Sequence, residues 1–240
     1  MHVLLIDDHF AAREGVACLL KQIFPELQVF EAESVDQGMA IAREIPLNLV
    51  ILDVQLPGKD GLAGLQALRG EFPNLCVAMY SGLDDRELVF EALRLGAMGF
   101  IVKTLSRQAF VEALRDVLSG KVYLPASVVG QRLLPNLATQ NLIGVRPISD
   151  PAGLDLTPRE FEVLSWLVQG KANKEIARHL GIEEQTVRNH LRPVFQKFGV
   201  ARRAELLVKV FEQGIVFGKP AIGNLPEKAI RAGNEDRLDC

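Results

Sequence analysis

Five polar residues close otherwise apolar stretches in the first half of the chain. Asp7 and Asp8 follow HVLLI, Asp53 follows NLVIL, Ser81 follows LCVAMY and Lys103 follows GFIV. Taken singly, each reads as a turn residue, a strand-end cap or a surface lysine. Taken together they specify a chemistry. Three carboxylates brought close repel one another, so at neutral pH either one takes a proton or a cation sits among them. An all-oxygen donor set favours magnesium, which keeps several waters and commonly bridges to a phosphoryl group. With a lysine and a hydroxyl on its rim, such a pocket suits phosphoryl transfer to a carboxylate. The cation and Lys103 would neutralise the phosphoryl oxygens, Ser81 would donate a hydrogen bond, and Asp53 would be the nucleophile.

That set requires a scaffold that brings five distant positions to one place. The β-rich runs at 2–6, 27–31, 48–52, 75–80 and 99–102 alternate with stretches of helical apolar spacing, such as Val16, Leu19, Leu20 and Ile23, or Leu88, Ala92 and Leu95. Near-continuous apolar strands separated by helices predict an α/β fold, a five-stranded parallel sheet doubly wound with helices on both faces. In such sheets ligands bind outside the carboxyl ends of the strands. All five polar groups fall at those ends.

Composition bounds the rest. The 240 residues are 48% hydrophobic, enough for two modest domains with their own cores. No apolar run approaches the roughly 20 residues of a membrane helix, and the N-terminus does not read as a signal peptide, so a cytoplasmic protein with no membrane partner is expected. Three cysteines, Cys18, Cys76 and Cys240, lack metal-ligand spacing; Cys18 and Cys76 are read as small core residues. Charge divides the chain: residues 1–124 carry 11 basic and 17 acidic side chains, whereas residues 155–217 carry 10 and 8. An acidic half joined to a mildly basic half implies two domains with different partners.

Four prolines and three glycines between 122 and 153 mark a linker. Beyond it, Thr157-Pro158-Arg159-Glu160 spells a capping box with proline at the first helical position. Further helices are predicted from about Asn173 to Gly181, from about Glu184, and from about Arg202, an all-α four-helix unit containing a helix-turn-helix. In the third helix Val187, Leu191, Val194, Phe195 and Phe198 share one face, and Gln185, Arg188, Asn189, Arg192 and Gln196 the other. The polar face is rich in groups that read bases, although a merely solvated face has the same look. Glu183 makes a poor N-cap, and Pro193 within the helix deletes a hydrogen bond and predicts a bend. Residues 218–240 read as a mobile tail.

These motifs carry two resemblances. Residues 1–121, through the acidic pair, LD followed by LPGKDG, SG after the fourth strand and GFIVK, resemble the flavodoxin-like receiver domain of two-component response regulators. Residues 154–217, through LTPRE, GKANKEIARHLGI, TVRNH and KFGV, resemble the NarL/FixJ, or LuxR-type, DNA-binding domain. The first resemblance implies Asp53 as phospho-acceptor, Mg2+ held by Asp8, Asp53 and the Gln55 carbonyl with Asp7 acting through water, Lys103 as phosphoryl contact, and Ser81 and Phe100 as switch residues. The second implies Arg188, Asn189 and Arg192 in the major groove, with Lys174, Thr186, His190 and Lys197 nearer the backbone. It assigns the fourth helix, with Leu206, Leu207 and Val210, to dimerisation; internal packing is the alternative for that helix, and both can share its faces.

Jointly they imply a response regulator whose partners are a sensor histidine kinase, double-stranded DNA and a second copy of itself. Haloacid dehalogenase hydrolases also use an Asp after a strand, but they resemble a D-x-D pattern. Here Asp53-Val54-Gln55 lacks the second acid, so an enzyme is not expected. A phosphorylation-independent regulator, its receiver serving only as a protein-interaction module, is the alternative.

Overall fold

The computed structural model describes residues 1–58, 60–129, 146–148, 151–213 and 215–217. The expected alternation is present: β1 (His2–Ile6), α1 (Phe10–Ile23), β2 (Gln28–Ala32), α2 (Val35–Glu44), β3 (Leu49–Asp53), α3 (Gly61–Glu71), β4 (Cys76–Ser81), α4 (Arg86–Arg94), β5 (Gly99–Val102) and α5 (Arg107–Leu118). The strands form one parallel sheet in the order β2-β1-β3-β4-β5. Asp53 and Ser81 are the last residues of their strands, where the sequence places them one position beyond.

Period-two alternation sorts each strand between two apolar layers. Leu4, Ile6, Val50, Leu52, Met79 and Phe100 face α2, α3 and α4; Val3, Leu5, Leu49, Ile51, Ala78 and Ile101 face α1 and α5. Both layers are sealed, which explains why the strands read as unbroken hydrophobic runs. The starts of α2 to α5 are set by side-chain caps: Ser34 accepts from Gln37, Asp60 from Leu62, Asp85 from Glu87 and Leu88, and Ser106 from Ala109. One expectation fails. Cys18 is exposed, because on α1 the buried positions are Arg13, Val16, Ala17 and Leu20, and residue 18 turns outward.

The second half begins with α6 (Ala126–Val129), β6 (Arg146–Ile148) and a 3-10 turn at Pro151–Leu154. It continues with α7 (Pro158–Val168), α8 (Asn173–Leu180), α9 (Glu184–Phe198), α10 (Arg203–Glu212) and β7 (Ile215–Phe217). The Thr157 capping box forms as spelled, and Glu183 gives α9 no side-chain cap. Gly181 and Gly199 end α8 and α9 in the left-handed conformation, at φ 63° and 65°. α9 stays one helix through Pro193. The parallel pairing of β6 with β7 was not anticipated, since neither three-residue segment carries a strand-length pattern. The tail at 218–240 lies outside the described residues.

The two halves meet through α4 and α10. Phe211 stacks on Phe90 with ring centroids 6.2 Å apart, Arg94 pairs with Glu212, and Lys121 reaches Glu175 at 3.2 Å. One apolar core runs from the α2–α4 side of the sheet into the helical half, and it buries Ala204, Leu206, Leu207, Val208, Val210 and Phe211 of α10.

Candidate functional site

The sheet order reverses beside β1, whose neighbours are β2 and β3, so a crevice opens at the carboxyl ends of β1 and β3. Asp7 and Asp53 line it, both with nearly fully buried side chains. Lys103, arriving from the end of β5, spans them: its Nζ donates to Asp53 Oδ2 at 2.7 Å and to Asp7 Oδ2 at 2.9 Å. The other Asp53 oxygen accepts the Gln55 amide at 3.2 Å, and Asp7 Oδ1 accepts the His9 amide at 2.8 Å. Ser81 is fully buried; its carbonyl accepts the Lys103 amide at 2.6 Å, and its hydroxyl accepts the Leu83 amide at 3.0 Å. Phe100 is completely buried in β5. Thus distant strand ends converge as the sequence required.

Electrostatics divide the roles. Burial lifts the Asp53 carboxyl above the usual carboxylate range, against the lowering effect of Lys103 and the Gln55 amide. Burial also works against the Lys103 ammonium, but hydrogen bonds to Asp53 and Asp7 outweigh it and raise its pKa. One lysine charge faces three carboxylates. Asp8 Oδ1 is buried and has no hydrogen-bond partner among the described residues. Ligand atoms of Asp7, Asp8, His9 and Asp53 all lie within 4.8 Å of one another, so the donor set fits a divalent cation.

Three neighbours of this pocket escaped sequence reasoning. Arg13 is buried behind Asp7, donating to its carbonyl at 2.6 Å and to Glu33 at 2.8 Å. Gly61 opens α3 so close to β3 that a Cβ there would stand 2.1 Å from the Asp53 carbonyl oxygen. His9 follows the acidic pair and puts Nδ1 3.0 Å from Asp8 Oδ1. Only adjacency to Asp8 could have flagged His9; nothing local marks the other two.

On α9, Arg188, Asn189 and Arg192 are exposed. Arg188 is steadied by Glu184 at 2.5 Å, and Asn189 Oδ1 accepts from Gln185 at 3.2 Å. Lys174 is exposed at the start of α8, and Thr186 and His190 are half-buried. Lys197 instead turns to Asp155 at 3.6 Å and Glu160 at 3.9 Å. Leu206, Leu207 and Val210 are buried. Arg203, unremarked in the sequence, donates to the Leu167 and Lys171 carbonyls at 3.3 and 2.6 Å, and burial pushes its pKa down to about 10.

A doubly wound sheet with an acidic, lysine-bridged crevice, followed by a helix-turn-helix, defines a receiver joined to a DNA-binding module. Residues 3–115 match the response regulator receiver domain family, and residues 154–210 match the bacterial regulatory proteins of the luxR family. LnrK, a transcriptional regulatory protein of Bacillus subtilis, is 34% identical over 89% of this chain and 97% of its own. The nitrate/nitrite response regulator NarL of Escherichia coli K12 is 33% identical over 89% of this chain and 96% of its own. Among solved structures, an RcsB response regulator–DNA complex shares the fold, with a TM-score of 0.51 and 22% identity over 88% of this chain and 98% of that one. The chain belongs to the LuxR-type response regulators, transcription regulators with a receiver and a helix-turn-helix DNA-binding domain. Among the described residues, no helix is long and apolar enough to cross a membrane.

Proposed function

We propose that this regulator is switched by phosphorylation of Asp53 by a sensor histidine kinase, with residues 1–121 as the receiver and 154–217 as the output domain. The observation that carries the reading is the single ammonium of Lys103 bridging Asp7 and Asp53 at the strand ends. Asp53 attacks the phosphorus of a phosphohistidine, the nitrogen–phosphorus bond breaks, and the imidazole leaves with its electron pair. Asp8, Asp53 and the Gln55 carbonyl would hold Mg2+, with Asp7 acting through water. That ion would supply charge neutralisation for the phosphoryl oxygens. Lys103 binds the phosphoryl group, and Ser81, whose hydroxyl otherwise only accepts from Leu83, donates to it. Phe10 and Leu83, exposed apolar side chains near the ends of β1 and β4, suit docking of a partner protein at this edge.

The output reading rests on α10. Arg188, Asn189 and Arg192 are open to solvent, whereas the α10 residues assigned to dimerisation are covered. The structure therefore suits a resting monomer whose DNA-reading face is free and whose dimer helix is held by α4. Movement of Ser81 and Phe100 on phosphorylation displaces α4, frees α10 and favours a dimer on paired half-sites. Wild type and Asp53→Asn are to be incubated with acetyl phosphate and Mg2+, followed by intact mass and light scattering. One added phosphoryl group, labile to alkali, absent from the variant and accompanied by dimerisation, is the expected result. A wild type that neither gains the group from acetyl phosphate nor from any kinase tried returns the receiver to the interaction-module role.

A further inference from the structure

We propose that Arg13 is a positioning residue of the acidic pocket: without touching the cation or a phosphoryl group, its guanidinium fixes the turn between β1 and α1 that carries Asp7 and Asp8. The proposal deepens the reading of the pocket as a Mg2+ site and rests on that reading.

Arg13 lies on the buried side of α1 and is only 6% exposed. A cation so placed is costly unless hydrogen bonds and opposite charge surround it. Its partners come from separate segments. Nη1 donates to the Asp7 carbonyl at 2.6 Å, Nη2 donates to Glu33 Oε1 at 2.8 Å just beyond β2, and Nε stands 3.5 Å from Glu31 Oε2 within β2. The Arg13 amide holds the other end of the turn by donating to the His9 carbonyl at 3.0 Å, and the Asp7 amide donates to the Ala32 carbonyl at 3.1 Å. β1, β2 and α1 are thus tied at one point, directly behind the pocket. Asp8 depends on this frame. Its Oδ1 is buried without a hydrogen-bond partner among the described residues, and the His9 ring beside it is 66% exposed. The direction of that carboxylate is therefore set by the main chain of the turn.

The two effects of Arg13 on a bound cation have opposite signs. Charge alone makes a guanidinium repel Mg2+, so removing it should tighten binding. Its hold on the turn fixes two carboxylates of the pocket in place, so removing it should loosen binding; outer partners of metal ligands are typically worth about 10–100-fold in affinity. Glu31 and Glu33 offset the charge of Arg13 from behind, and the positional effect is the larger.

Full-length wild type, Arg13→Met, Arg13→Lys and Asp8→Asn are to be titrated with MgCl2 and followed by two-dimensional amide NMR. Arg13→Met fills the space without a donor and should bind Mg2+ about tenfold or more weakly. Arg13→Lys keeps a donor for the Asp7 carbonyl and should recover most of that loss. Asp8→Asn should weaken binding directly. Unchanged or tighter binding by Arg13→Met, the result expected of its charge alone, would overturn the positioning role while leaving the pocket intact. A collapsed amide spectrum in Arg13→Met, with Arg13→Lys equally weak, would assign the loss to folding and overturn that role as well. Full retention of Mg2+ by Asp8→Asn, or no binding by wild type, would instead remove the pocket reading, and this proposal with it.

Discussion

At the scale of single residues, the role proposed for Asp53 sets two demands against each other. Phosphoryl acceptance would need an accessible anion, while the crevice that shelters the carboxyl raises its pKa. Because the folded value lies above the unfolded one, this group favours folding at pH below the ordinary carboxylate pKa, and that contribution is lost as pH rises through the folded value. In chelator, Asp53→Asn should therefore melt above wild type at pH 7, and the gap should narrow as the pH is lowered to 4. Equal gaps at both pH values would count against burial as the dominant cause. Lys103 also has a raised pKa, so its contribution is fully present below the ordinary lysine value and fades only as pH rises through the folded value. Two glycines make a matched pair of tests. Gly61→Ala would drive a methyl into the Asp53 carbonyl and should cost about 2–3 kcal/mol or more, with weaker phosphorylation as well. Gly15→Ala, in the exposed part of α1 with nothing within 4 Å of its Cβ, should stabilise by about 0.5–1 kcal/mol in urea denaturation.

At the scale of elements, the helix-turn-helix shows which local signals were sufficient. Thr157 and Glu160 cap α7 because the spacing alone lets each side chain reach the other's amide. α9 has the opposite problem: Glu183 leaves its first turn without a side-chain cap, and Pro193 removes a donor from its interior. Packing overrides both, since Val187, Leu191 and Val194 are buried against the neighbouring helices. Glu183→Ser should add about 1 kcal/mol of stability through the restored cap. On the proposed output reading it should also tighten DNA binding at low salt, since it removes a negative charge from the end of α9 that would then lie near phosphate. Fluorescence anisotropy at two salt concentrations reads the second effect, which should shrink at the higher one.

At the scale of the whole molecule, the contact between α4 and α10 decides which surfaces are available. The pair Arg94–Glu212 lies at its exposed rim, where an ion pair contributes up to about 1 kcal/mol. Arg94→Glu should therefore raise the unphosphorylated dimer fraction by up to about fivefold, as followed by light scattering. The double reversal Arg94→Glu with Glu212→Arg should bring it back. A double variant as dimeric as the single one would mean that this pair does not hold the resting state. The stacked Phe90 and Phe211 supply the apolar part of the same contact.

The sequence by itself determined the strands, the capped start of α7 and the convergence of Asp7, Asp53, Ser81 and Lys103, because these depend on side-chain period, capping chemistry and the direction of parallel strands. It also placed Arg188, Asn189 and Arg192 together on one helix face. Only the tertiary structure decided what those elements pack against. Cys18 was misjudged because an apolar neighbourhood in sequence does not say which side of α1 faces the sheet. Arg13 and Gly61 serve the pocket through contacts to backbone carbonyls, which carry no residue-specific signal. Lys197 turned to Asp155 and Glu160, and α10 was covered by α4, through encounters between segments far apart in the chain. Local pattern fixes an element and its faces; the partner of each face is chosen by the cooperative burial of the whole chain.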